Sequence, residues 1–204
     1  MKSIMKGLSS SLLIMILLNG CASQIMILSN PVDSISNNKA LVTFLPSKWV
    51  AVSHNQFGPF GGGRQYNASL ELDIWDNENF IGALTAKTYF QYVADPGEHL
   101  FIARGGNWSF VKANLQSGKK YYVILTTYPV PFRGQIVNLQ PVKSEDRELL
   151  TETQSSINSL KPMSIIQEKY DDYVRNKVNK VRQEINVFKS TEYEFSSLGA
   201  QDGI

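Results

Sequence analysis

Hydrophobic positions between residues 40 and 142 recur in short runs, each the length of a strand and each ended by a residue that turns the chain. The first run, residues 40–45, is apolar except for Thr43 and stops at Pro46. Residues 68–75 alternate. Leu70, Leu72 and Ile74 fall on one face, with Ser69, Glu71 and Asp73 on the other, as in a half-buried strand of an antiparallel sheet. The densest patterning runs from Trp75 to Leu125. Its apolar runs are divided by the polar residues 76–79, by Asp95-Pro96-Gly97-Glu98, by Gly105-Gly106-Asn107 and by Ser117-Gly118. Pro96 suits the second position of a tight turn and Gly97 can supply positive φ at the third. Residues 48–53 add a strand or an extended edge, residues 56–66 with five Gly or Pro form a loop, and residues 132–142 a last strand ending at Pro141. Breaks at roughly eight-to-twelve-residue spacing predict about seven or eight strands. The expected fold is mainly β, a small antiparallel β-sandwich of transthyretin or immunoglobulin-like type, followed by a C-terminal α-helical segment.

After residue 142 the pattern changes period. Residues 144–159 are polar and helix-prone, with Ser144 placed as N-cap, and Lys161-Pro162 ends that helix. A longer helix is expected over 164–189, because Ile166, Tyr170, Val174, Val178, Val181, Ile185 and Phe188 recur at steps of four or three. Two readings of that stripe stand. It packs on an open face of the sandwich, or Val174, Val178, Val181, Ile185 and Phe188 form a seam for another protein. The last residues, 191–204, read as a frayed tail.

The N-terminus carries an address. Lys2 and Lys6 precede an unbroken apolar run over 12–18, too short to span a bilayer and suited to a secretory signal. Leu18-Asn19-Gly20-Cys21 follows directly and resembles the bacterial lipobox, in which the signal is cut between Gly20 and Cys21 and the cysteine is acylated. The expected organisation is therefore a signal peptide at 1–20, a lipidated tether at 21–38, a sandwich domain at 39–142, a helical extension at 143–190 and the tail. By resemblance to lipoprotein sorting, Ala22 points to the outer membrane. Cys21 is the only cysteine, so no disulfide forms within the chain and the fold must stand on its core.

Charge excludes one class of partner. Of 20 Lys and Arg, two lie in the signal, which leaves 18 against 18 Asp and Glu. A mature chain of zero formal charge has no electrostatic case for binding nucleic acid.

In the central block, Ile81-Gly82, Tyr89-Phe90 with Tyr92, Pro96-Gly97-Glu98-His99 and Gly118-Lys119-Lys120-Tyr121-Tyr122-Val123 come in a set order. Together with the lipobox, this order over residues 39–142 resembles the bacterial lipoproteins grouped as domain of unknown function 2846. The resemblance implies a small β-sandwich on a lipid tether and no established activity. The loop 56–66 and the segment past Ser144 fall outside the shared pattern.

Candidate chemistry is sparse. His99 follows a Pro-Gly turn with Asp95 and Glu98 nearby, but no Ser or Cys nucleophile signature accompanies it, and a structural role in the turn is the simpler reading. His54 and His99 are the only histidines, so no zinc site is expected. Asp73, Asp76 and Glu78 could offer oxygen ligands but equally make a polar hairpin. The Gly-rich stretch at 58–63 lacks the ending of a phosphate loop, although Phe57, Phe60 and Arg64 are candidate partner contacts. Trp49, Trp75 and Trp108 could build an aromatic platform for a glycan, or serve as core. The expectation is a non-enzymatic module without cofactor or metal. It is lipid-anchored in the outer membrane, faces the periplasm and contacts envelope proteins, in the manner of an accessory of a secretion-type complex. The alternative is a glycan- or peptidoglycan-binding module.

Overall fold

The computed structural model describes residues 25–47, 72–85, 87–130, 134–191 and 195–204. Eleven strands are present among them: β1 Met26–Leu28, β2 Ala40–Pro46, β3 Leu72–Asp76, β4 Asn79–Leu84, β5 Thr88–Ala94, β6 Gly97–Arg104, β7 Trp108–Leu115, β8 Lys120–Val130, β9 Gly134–Pro141, β10 Lys161–Ile165 and β11 Ser197–Leu198. Three α-helices follow the main strands: α1 Arg147–Ile157, α2 Tyr170–Arg175 and α3 Val178–Lys189. The strands form a sandwich. One sheet has the order β1-β10-β5-β2-β8-β9, the other β11-β7-β6-β3-β4. Both sheets are mixed rather than purely antiparallel, since β2 runs parallel to β8, β10 to β5 and β11 to β7.

The core lies between the sheets. Phe44 stacks on Phe90 at 5.0 Å in its own sheet and meets Phe101 of the opposite sheet edge-on at 5.1 Å. Offset and edge contacts of this kind favour a fixed ring arrangement beyond the area they bury. Gly82 sits directly over the Phe90 ring, where an added Cβ would come within 2.8 Å of it. The β3–β4 connection has only two residues, and Asn77 takes positive φ (51°) there, a conformation Asn tolerates better than most. On the outer face of the larger sheet, α1 covers a second cluster of Leu45, Tyr89, Ile124 and Val142. Helix α3 covers the outer face of the smaller sheet, where Phe188 stacks on Phe110 at 4.4 Å.

Side chains close one edge of the sandwich. The Asn107 amide donates to the Val137 carbonyl (2.9 Å) and accepts from the Val137 N–H (2.6 Å), while the Ser109 hydroxyl accepts from the Leu139 N–H (2.8 Å). Asn107, just before β7, and Ser109 in β7 thus pair with the backbone of β9 in the other sheet.

The apolar patch of the tether packs on the domain: Ile25 is fully buried, its carbonyl accepts from the Ile166 N–H (2.8 Å), and β1 pairs with β10. Several expectations are corrected here. Residues 161–165 form a central strand instead of a helix break, with Met163 and Ile165 turned inward at strand period. The physical reason is the open edge of β5, whose N–H and C=O groups need partners. The single helix over 164–189 is therefore shortened and divided, with α2 ending before α3 begins at Val178. Asp146, not Ser144, caps α1 by accepting from the Leu149 N–H (3.0 Å), and the Ser144 N–H donates to Asp202 instead. The tail is not frayed. Ile204 exchanges two backbone hydrogen bonds with Lys120, the Tyr121 hydroxyl donates to the Ala200 carbonyl (3.3 Å), and the buried Asp202 pairs with Lys143 (3.0 Å). The strand expected over 48–53 and the loop at 56–66 lie outside the described residues.

Two stability tests follow from this packing. Gly82→Ala is expected to cost about 1–3 kcal/mol in urea unfolding, the usual penalty for overfilling a packed core. Unchanged stability would mean that the Phe90 ring yields freely. A chain ending at Leu160 loses β10, β11 and α3 and is expected to give no cooperative melt. A native near-ultraviolet circular dichroism spectrum from that truncation would contradict the role assigned to these segments.

Candidate functional site

The chemistry-bearing groups gather at the end of the sandwich where the β3–β4 turn meets the β5–β6 turn. Asp76 closes β3 and is 3% exposed. Its Oδ2 accepts from the Tyr92 hydroxyl (3.0 Å) and lies 2.6 Å from His99 Nδ1, while Oδ1 accepts from the Asn77 amide (3.1 Å). The other ring nitrogen of His99, Nε2, is 2.9 Å from the Asp95 carbonyl. Both imidazole nitrogens therefore face acceptors, and both contacts are made only when both nitrogens carry protons. The bond to Asp76 holds the His99 pKa above its ordinary value against the opposing effect of burial. The Tyr92 hydroxyl is pushed up, first by burial and then by the Asp76 charge beside it. An imidazolium with both N–H groups engaged is a poor general base, and the cluster works as a clasp between two turns.

The sequence placed His99 among Asp95 and Glu98. The carboxylate that grips it is Asp76, 23 residues away, and Asp95 contributes its backbone while its side chain pairs with Lys39. The three carboxylates considered as a cation site separate. Asp73 accepts from Tyr173 (2.6 Å) and Lys177 (2.8 Å), Asp76 holds His99, and Glu78 is gripped by the Arg182 guanidinium, with Nη2 to Oε2 at 2.6 Å. That guanidinium holds the Glu78 carboxyl below its usual range. Among the described residues, no group of three or more His, Cys, Asp or Glu is arranged to hold a metal ion.

The helical stripe is also accounted for. Val181, Ile185 and Phe188 are buried against the sandwich, and Val174 and Val178 pack on the same core. Of the two readings of this stripe, the structure shows the first, packing on the sandwich, for these five residues. The reason is local: Phe110 and Phe195 offer Phe188 an apolar seat, and the Asp73 and Glu78 ion pairs fix α2 and α3 onto β3 and its turn. Trp75 is core, and Trp108 lies under the Arg104 guanidinium (5.4 Å), so these two build no platform together. Gly20, Cys21, Trp49, His54, Phe57, Phe60 and Arg64 lie outside the described residues.

One feature had no sequence signal. A cleft of about 430 Å³ opens between the sheets beside the clasp. Met26, Phe80, Ile81 and Phe90 make its buried floor. Exposed Asn79, Ser164 and Gln167 stand at its rim, with half-buried Tyr92 and Tyr170 between. Its size and mixture of apolar floor and few polar groups are those of a small-molecule site. Its walls come from β1, β4, β5, β10 and α2, which no short motif joins. No family model matches the chain, and comparisons with curated proteins and with solved structures found no match.

The clasp makes a pH prediction with a definite sign. A folded-state pKa above the unfolded value of about 6.5 stabilises the fold fully below that value, and the contribution is lost as pH rises through the folded pKa. The urea midpoint is expected to fall as pH is raised from 6 through 8 in the wild type, on the order of the His titration range. His99→Gln should flatten that slope; an equal slope in the variant would show that His99 is not its source.

Proposed function

We propose that this chain is a non-catalytic interaction module of the cell envelope, acylated at Cys21 and held at the outer membrane facing the periplasm. The observation that carries this reading is the placement of Ile25. It is fully buried and hydrogen-bonded to Ile166, four residues after Cys21 in the chain. Four extended residues reach at most about 14 Å. An acyl group on Cys21 would therefore hold the whole sandwich close against the bilayer, as a structural or accessory component requires, rather than on a long swinging tether. Multiple acyl chains would make that attachment stable.

Two further observations support it. His99 has both ring nitrogens engaged, which gives a catalytic reading no base at the one buried Asp–His pair described. The order of motifs over residues 39–142 accords with the lipoprotein family that the sequence resembles. With α3 committed to its own sheet, Ile27 and Leu28 on β1 are exposed apolar side chains six and seven residues after Cys21. The partners proposed are envelope proteins, of the kind found in secretion-type assemblies. The glycan-binding alternative is left without Trp75, which is buried.

Cys21→Ser is expected to move the protein from the membrane to the soluble periplasmic fraction, measured by fractionation and immunoblot. Retention in the membrane would sink the anchoring proposal. Crosslinking in intact cells with mass spectrometry should return envelope proteins bound to the acylated form, and their equal recovery with Cys21→Ser would show that close membrane attachment is irrelevant to contact.

A further inference from the structure

We infer that the cleft between the sheets is a binding site for an uncharged single-chain amphiphile, with the apolar chain on its floor and a hydroxyl- or amide-bearing head at its rim. The floor is made of Met26, Phe80, Ile81 and Phe90, all at most 7% exposed. Thioether side chains adapt to irregular apolar shapes, and here one comes from each of β1 and β10 (Met26 and Met163), on the same cleft. The rim is different in kind. Asn79 and Gln167 present amides that both donate and accept, while the Gln91 amide oxygen is taken by the Val32 N–H (2.7 Å) and Ser164 alternates with the inward Met163 and Ile165.

Charge selects the head. Among the described residues, no side chain lining the cleft is ionised at neutral pH, and the lining phenol nearest the clasp, Tyr92, is spent on Asp76. A carboxylate or phosphate head would give up part of its hydration at the rim without gaining a cationic partner among the described residues. A hydroxyl or amide head exchanges its water hydrogen bonds for those of the rim at little net loss. The volume of about 430 Å³ admits a small molecule. Met26, on the cleft floor, is the fifth residue after Cys21, so the anchoring proposed above would set this site beside a bilayer that supplies such molecules. The chemistry of the cleft does not depend on that anchor, and the test is made without it.

The mature chain with Cys21→Ser keeps every described residue. Its only methionines are Met26 and Met163, so carbon-13 labelling of methionine methyls gives two nuclear magnetic resonance signals, both from the cleft. Titration with 1-monooctanoylglycerol below its micelle concentration is expected to shift both signals saturably. Nuclear Overhauser contacts should join the octanoyl chain to both methyls. Octanoate should bind about tenfold more weakly or less, and Ile165→Trp, which fills the cleft, should weaken binding by at least about as much. Absence of saturable shifts and of chain-to-methyl contacts in the unfilled protein overturns the proposal, whether or not the filled variant folds. Equal binding of octanoate overturns the choice of head, and equal shifts with glycerol alone overturn the apolar-chain site. None of these outcomes bears on membrane fractionation, which tests the anchor separately.

Discussion

Strand β5 is flanked by β2 on one side, and its other side must also be paired. A bare strand edge in the middle of a sandwich would leave a row of N–H and C=O groups without partners and open the aromatic core beneath them. The chain meets this constraint with segments from far outside the central block. Residues 161–165 come back to lie parallel to β5, and residues 26–28 then lie on their outer side. Once β10 is in place, the chain after it is delivered to the smaller sheet, where α2 and α3 settle over β3. The tether, the extension and the tail are thus parts of one fold.

The interior of the fold was legible because its signals are local. Alternation at Leu72 and Ile74, the Asn77-Glu78 turn, the Pro96-Gly97 turn and the Tyr121-Val123 strand all state their conformation within a few residues. Elements that depend on distant partners were not legible. Pro162 reads as a helix breaker, and only the register of Lys161 and Met163 with Thr88 and Phe90 makes it part of a strand. Tertiary pairing of this kind overrides local preference. The same limit applies to the site. Asp76 reads as the first residue of a polar turn, and nothing near it in the chain announces His99 or Tyr92. The cleft is assembled from several elements, so no spacing encodes it.

The function proposed joins two features on the same side of the fold. A short run of chain separates the expected acylation site from the buried Ile25, and the strand that follows forms one wall of the cleft. The clasp of Asp76, His99 and Tyr92 stiffens the turns beside that wall. A site on two sheets and a helix keeps its shape better than one on loops alone.

The closure of β9 by Asn107 and Ser109 has a consequence for making this protein. Asn107, Trp108 and Ser109 form the acceptor triplet that eukaryotic secretory hosts decorate with N-linked sugar. A glycan on that amide would take the nitrogen that bonds Val137 and place a bulky group where the two sheets meet. Chains produced through such a host would compete between modification and closure of the edge. A bacterial host that does not recognise the triplet imposes no such competition.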